Sequence, residues 1–158
     1  MERNDRLKLF ANEIGDIKDP KLKTLATELI ANADDYFLTV AESSSGKYHP
    51  QFDLGVGGLV RHTRCVAFFA KSLAESYCFS DNDKDLIIMA LILHDGLKKG
   101  IKEEEYTRFD HPLLISKLIM ENANNLEMNI DDTRKMCSLI ESHMGKWNTC
   151  KYCKEELW

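Results

Sequence analysis

The chemistry of this chain starts from an adjacent imidazole and carboxylate, His94 and Asp95, which follow an apolar run that includes residues 87–93. Burying such groups is costly unless they are paired or bind a metal ion. Gly96 interrupts the segment, and Lys98 adds a cation. An apolar helix that ends in this pair predicts ligands for a divalent ion. The alternative is a helix C-terminus with a capping histidine and a glycine stop.

Three more histidines lie near the ends of predicted helices. His62 follows a glycine turn at the start of one helix, His111 opens another, and His143 closes a third. Taken singly, His62 could be a core residue, His111 a cap and His143 a cation favoured by the helix dipole. Taken with Asp95, they form a nitrogen and oxygen ligand set that suits Mn, Fe, Co, Ni or Zn better than Ca. Two such ions, sharing Asp95 as a bridge, could clamp a phosphoryl group and activate water.

The order His62, His94 with Asp95, His111 and His143 resembles the HD-domain superfamily of metal-dependent phosphohydrolases. The segments that carry the resemblance are 57–63, 90–95, 110–112 and 141–145, within a stretch of about 48–145. They are similar to the HD domain of bacterial 3′-to-5′ exoribonucleases and to small phage or bacterial HD proteins.

This resemblance implies an all-α, HD-domain-like bundle of about six helices that hydrolyses a phosphoester of a nucleotide or of a nucleic-acid 3′ end. By position, His62, His94 and Asp95 would hold a first divalent transition metal ion, and His111 and His143 would complete a second. Mg²⁺ is also compatible with the site. Lys98 would act with Asp95 in catalysis, by contacting phosphate or helping to activate water. The alternative is a degenerate HD domain that binds a nucleotide or a protein without hydrolysis.

Two departures from the family pattern bear on these expectations. Family members usually have a further aspartate downstream, but the fifteen residues after His143 contain none. Either the chain ends before that residue, or the site is incomplete, or Asp110 or Glu141 replaces it. In addition, Gly96 comes one place early, which changes how Lys98 would reach the site.

Apolar spacing predicts helices over about 3–15, 20–42, 58–77, 82–95, 111–124 and 131–144. Residues 80–83 and the pair Asp131 and Asp132 supply expected caps. No segment is typical of a strand. We expect one HD-type domain over 1–158, in which 1–42 is an N-terminal helical extension and 48–145 the metal-site core. The extension is predicted to pack against the core or to form a partner surface. The second alternative would allow the protein to form oligomers.

The net charge of −5 argues against a long basic footprint for duplex nucleic acid, but a nucleotide or a short single strand bound through a metal ion fits. No apolar run suits a membrane span, and the charged N-terminus is not a secretory signal. Five cysteines without framework spacing indicate a reducing compartment, so we expect a cytoplasmic protein.

Several further residues are secondary candidates. Cys65 and Cys137 are expected in the core, whereas Cys150 and Cys153 form a lone CxxC that would be half of a zinc site or a redox pair. A purely structural scaffold would bind zinc at that CxxC and no metal at the histidines. His49 would be either a substrate contact or a surface residue, and Arg61, Arg64 and Lys146 are candidates to contact phosphate or a base. Trp147 would either stack on a base or fill the core.

Overall fold

Helix α6 (Asp81–Leu93) is the central element of the protein and carries His94 and Asp95 at its C-terminal end. The structure, a computed structural model, describes residues 1–43, 46 and 50–145. After its acidic first turn α6 is apolar on nearly every side, and such a helix must be enclosed. Helix α5 (Gly58–Ser76) and helix α8 (Ile130–Ser142) both pack against it.

The remaining helices surround this group of three. In chain order they are α1 (Arg3–Leu9), α2 (Ala11–Asp16), α3 (Pro20–Ala31), α4 (Asp35–Thr39), a single 3-10 turn (Gln51–Asp53) and α7 (His111–Asn125). Helix α7 packs on α8, and α3 packs on both α1 and α6. Within the described residues there is no strand, so the all-α prediction is confirmed. No helix in this part of the chain is long and apolar enough to cross a membrane.

The two predicted N-terminal helices are each divided in the structure, so their prediction as continuous helices was wrong. The first is interrupted at Phe10, which turns fully into the core between α1 and α2. The second ends at Ala31, and a new helix begins after Asp34, whose side chain accepts a hydrogen bond from the backbone N–H of Tyr36 at 3.1 Å. An aspartate N-cap is a sufficient local reason for the restart.

The later helices begin and end close to the predicted positions, but one cap was assigned wrongly. Ser80 caps α6 as expected, and its hydroxyl accepts from the N–H of Asp83 at 3.1 Å. Helix α8 is capped by Asn129, whose side-chain oxygen accepts from the N–H groups of both Asp131 and Asp132. The two aspartates occupy the first turn, where their charge favours the helix dipole without capping it.

The N-terminal helices belong to the same buried core as α6. Phe10 and Phe37 stack with ring centroids 5.8 Å apart, and both are almost fully buried. Ile17, Leu25 and Ile30 complete this layer with no exposed surface. Residues 1–42 therefore pack against the core, which was one of the two roles predicted for them; the other was a partner surface.

A tight turn before α5 brings the end of α4 to the start of that helix. Gly57 has φ +71°, a left-handed conformation that favours glycine, and its N–H donates to the carbonyl of Thr39 at 2.8 Å. The N–H of Leu59 donates to the carbonyl of Val40 at 3.0 Å. The chain following Val40 is thereby held against the first turn of α5.

Candidate metal centre

Four imidazoles converge on the carboxylate of Asp95. Its Oδ2 lies 3.3 Å from Nε2 of His94, and its Oδ1 lies 2.9 Å from Nε2 of His111 and 3.7 Å from Nε2 of His143. Ligand-type atoms of His62, His94 and Asp95 all lie within 4.8 Å of one another, and so do those of Asp95, His111 and His143. Asp95 is therefore the shared member of two adjacent clusters.

The helix ends bring these side chains together. His94 follows the last turn of α6, His143 follows the last turn of α8, and His111 opens α7. His62 lies in the second turn of α5, which packs on α6. The ring of His143 is 5.0 Å from that of His94 and 5.2 Å from that of His111, while His62 is 5.8 Å from His94. All four sequence-predicted histidines thus face one region.

In each imidazole, Nδ1 is held by an oxygen. In His94, His111 and His143, Nε2 faces the carboxylate of Asp95, whereas Nε2 of His62 lies 4.0 Å from Oε1 of Glu42. For three of the four, the oxygen is the backbone carbonyl three residues earlier, which lies at 2.7 Å for His94, 2.5 Å for His111 and 2.6 Å for His143. An Nδ1–H that donates to such an oxygen fixes the tautomer that leaves a lone pair on Nε2. The lone pairs therefore point to the centre, where an ion would be bound.

The separations fit divalent ions. His111 and His143 have their Nε2 atoms 3.3 Å apart, and since both Nδ1 atoms face carbonyls, two lone pairs would oppose each other unless a cation or proton lies between them. At metal–nitrogen distances of about 2.0–2.1 Å, neighbouring ligand atoms are about 2.9 Å apart in octahedral and about 3.4 Å apart in tetrahedral geometry. The distances of 2.9–3.7 Å around Asp95 are of this size.

Electrostatics favours the ligand forms of Asp95, His62 and His143 near neutral pH, and it favours the protonated form of His94. Burial raises the pKa of Asp95, but His94 and Lys98 outweigh burial and hold it well below the usual value. Burial lowers the pKa of His143 to about 4 and also lowers that of His62. Burial lowers the pKa of His94, but the charge and hydrogen bond of Asp95, the carbonyl of Leu91 and the charge of Glu42 together outweigh burial and raise it. An ionised carboxylate beside neutral imidazoles is the form that binds a metal ion.

Lys98 reaches the centre despite the early glycine. Its Nζ lies 3.0 Å from Oδ2 of Asp95 and also contacts the carboxylate of Glu42. Burial lowers the pKa of Lys98, but the two carboxylates outweigh burial and raise it. Burial raises the pKa of Glu42 to about 7, and repulsion from Asp95 acts in the same direction. Lys98 is therefore a cation held at the edge of the two clusters.

Sequence reasoning missed two acidic residues that approach the centre, Glu42 and Asp53. Both are buried, at 3% and 4% exposure, and Oδ2 of Asp53 lies 3.3 Å from Nδ1 of His62. In the sequence, Glu42 follows a short apolar run and Asp53 precedes a glycine turn. Such positions are only weak indications that an acidic residue is buried. Neither Asp110 nor Glu141, the expected substitutes, belongs to either cluster in the described part of the chain, and Asp110 is bound by Arg108.

The secondary candidates are distributed differently. The guanidinium of Arg61 donates to backbone carbonyls of the loop before α5, and Arg64 donates to Glu13. Cys137 is buried as expected, and Cys65 is half-buried. The remaining predicted residues, His49, Lys146, Trp147, Cys150 and Cys153, lie outside the described residues.

Comparison with known proteins agrees with this geometry. A family model described as HD domain matches residues 59–156, which include both clusters. The 3'-5' exoribonuclease YhaM of Halalkalibacterium halodurans is 28% identical over an alignment that covers 94% of this chain and 47% of that protein. The chain thus spans about half the length of this curated relative. No solved structure is a significant match to the chain.

Proposed function

The chain belongs to the HD domain family, and on that premise we propose that it is a metal-dependent phosphohydrolase that cleaves a phosphoester of a nucleotide or of a nucleic-acid 3′ end. The observation that carries the proposal is the position of Asp95 between two groups of imidazoles, three of which turn Nε2 towards it. One ion would be held by His62, His94 and Asp95, and a second by Asp95, His111 and His143.

When bound, the divalent ions supply an activated water and stabilise charge on the phosphoryl oxygens. The side chains of the protein would hold these ions and orient the substrate. Asp95 offers one carboxylate oxygen to each cluster, and its low pKa keeps both oxygens available. Lys98 is charged, and its ammonium group is positioned by Asp95 and Glu42 to contact a phosphate oxygen. Lys98 and Asp95 are thus the two residues that we assign to catalysis.

A relative and the net charge both support the proposed substrate class. The relative is named a 3'-5' exoribonuclease, which supports a nucleic-acid 3′ end as substrate. A net charge of −5 disfavours long duplexes and is compatible with a small substrate that binds mainly through metal ions and Lys98. The donor set favours Mn, Fe, Co, Ni or Zn, with Mg as a further candidate. The cysteine usage supports a reducing compartment such as the cytoplasm.

Metal analysis combined with an activity panel tests the proposal. Purified full chain is loaded with each metal in turn and assayed on a chromogenic phosphodiester, nucleotides and end-labelled oligoribonucleotides. We expect metal-dependent hydrolysis that His94→Ala or Asp95→Asn abolishes, and Lys117→Ala, an exposed change on α7, leaves intact. Hydrolysis that is unchanged in both site variants would remove the proposal.

The alternative function, a binding module without hydrolysis, is favoured by one contact. Nζ of Lys98 lies 3.0 Å from Asp95, so a built-in cation already neutralises part of the carboxylate. In that case the protein would stay metal-free after attempted reconstitution, yet would bind a nucleotide by calorimetry. Elemental analysis of the reconstituted protein separates the two functions before any substrate is known.

A further inference from the structure

His62 differs from the other clustered histidines in what holds its Nδ1. Its partner is the side chain of Asp53, with Nδ1 3.3 Å from Oδ2, rather than the backbone carbonyl three residues earlier. Asp53 precedes the region that matches the family, 59–156. We propose that Asp53 is a positioning residue that fixes the tautomer and ring orientation of His62 so that Nε2 faces the metal centre. The consequence for metal binding rests on the function proposed above.

The backbone around Asp53 is fitted closely to α5. A Cβ on Gly58 would lie 1.8 Å from the carbonyl oxygen of Asp53, so only glycine permits this approach. The same carbonyl accepts a hydrogen bond from the N–H of Glu42 at 3.0 Å. Asp53 is therefore fixed in position from two sides, by the first residue of α5 and by the chain after α4.

Arg61 holds the loop on both sides of Asp53. Its Nε donates to the carbonyl of Phe52 at 2.8 Å, one terminal nitrogen donates to Leu54 at 2.7 Å, and the other donates to Val56 at 2.8 Å. The guanidinium carbon also lies 5.6 Å from the centroid of the Phe52 ring. Because all three guanidinium nitrogens of Arg61 donate to carbonyls of this one loop, the side chain fixes the loop in place. Asp53 is the loop residue whose side chain contacts His62.

The carboxylate of Asp53 is costly to keep unless it has such a role. Its Oδ1 is buried and has no hydrogen-bond partner among the described residues. A buried polar oxygen without a partner destabilises a protein. A carboxylate that accepts from the non-ligating nitrogen of a histidine orients the ring and strengthens it as a metal ligand. That role explains why an acid stands at this buried position.

The test measures His62 directly, without activity. In metal-free full chain, long-range ¹H–¹⁵N spectra of the imidazoles report which nitrogen carries the proton. We expect His62 to be the Nδ1–H tautomer in the wild type, to remain so largely in Asp53→Asn, which keeps an acceptor oxygen, and to shift towards Nε2–H in Asp53→Ala. Asp85→Asn is the matched control, because Asp85 is equally buried and binds backbone N–H groups far from the histidines.

Chelator competition then measures metal affinity. Asp53→Ala should lower the affinity for one of the two ions about 10–100-fold and leave the affinity for the second within a few-fold of the wild type. Asp85→Asn should change neither affinity. An unchanged His62 tautomer in Asp53→Ala would overturn the inference, and if that variant does not fold, a wild-type His62 in the Nε2–H form would do so equally. A tautomer that shifts as expected in a protein that binds no metal would support the inference and refute the proposed function.

Discussion

Replacing Asp95 by asparagine should abolish the thermal stabilisation that divalent metal gives to this protein. The change keeps the shape of the side chain but removes its charge and one of its two acceptor oxygens. Because Asp95 is the shared member of both clusters, this one substitution should weaken both ions. By contrast, His62→Gln and His143→Gln each alter one cluster only, and each should retain part of the stabilisation.

The expected size follows from mass action. A ligand at a free concentration of 100 times its Kd stabilises the native state by about 2.7 kcal/mol. For a chain of 158 residues, 1 kcal/mol shifts Tm by about 2–4 °C. One ion should therefore raise Tm by about 5–11 °C, and two independent ions by about twice that.

The assay is thermal unfolding followed by circular dichroism, with chelator-stripped protein titrated with Mn²⁺ or Ni²⁺. Each variant is compared with its own metal-free Tm, because loss of the Asp95 charge also leaves Lys98 paired with Glu42 alone. Asp131→Asn, an exposed change in the first turn of α8, is the control and should keep the full shift. An Asp95→Asn shift equal to that of the wild type would refute the assignment of Asp95 as the shared ligand.

Three further predictions concern parts of the fold outside the ligand atoms. Gly58→Ala should lower the free energy of unfolding in urea by about 3 kcal/mol or more, because the new Cβ would meet the carbonyl oxygen of Asp53; a loss below about 0.5 kcal/mol would contradict this close approach. Burial raises the pKa of Cys137 to about 11, so at pH 8 mass spectrometry should show its alkylation to be at least about 100-fold slower than that of exposed Cys78. Burial raises the pKa of Tyr36 from 10.0 to about 12, so above pH 10 the unfolded chain releases this proton before the folded protein does, and the free energy of unfolding falls. At pH 11 the wild type should have lost about 1 kcal/mol of stability relative to Tyr36→Phe. Parallel profiles of stability against pH for the two proteins would contradict this.

Helix identity could be predicted from sequence because the apolar spacing reports the buried face directly. The division of the predicted helix over 20–42 was missed, although Asp34 is a good N-cap residue, because the apolar period continues on both sides of it. Asn129 was not predicted as the cap, and Asp131 and Asp132 were, because both residue types, Asn and Asp, suit a helix start. In both cases a local hydrogen bond determines where the helix begins, and the sequence offers several residues that could form that bond.

The sequence by itself determined which side chains could hold a metal ion, because His62, His94, Asp95, His111 and His143 stand in the order and with the flanking residues that resemble the HD family. Tertiary structure alone decided which further groups join them. Glu42 contacts Lys98 across 56 positions of the chain, and Asp53 meets His62 only because a turn folds back onto α5. A buried acid has no periodic signature, so its partner becomes visible only when packing brings the two side chains within hydrogen-bonding distance.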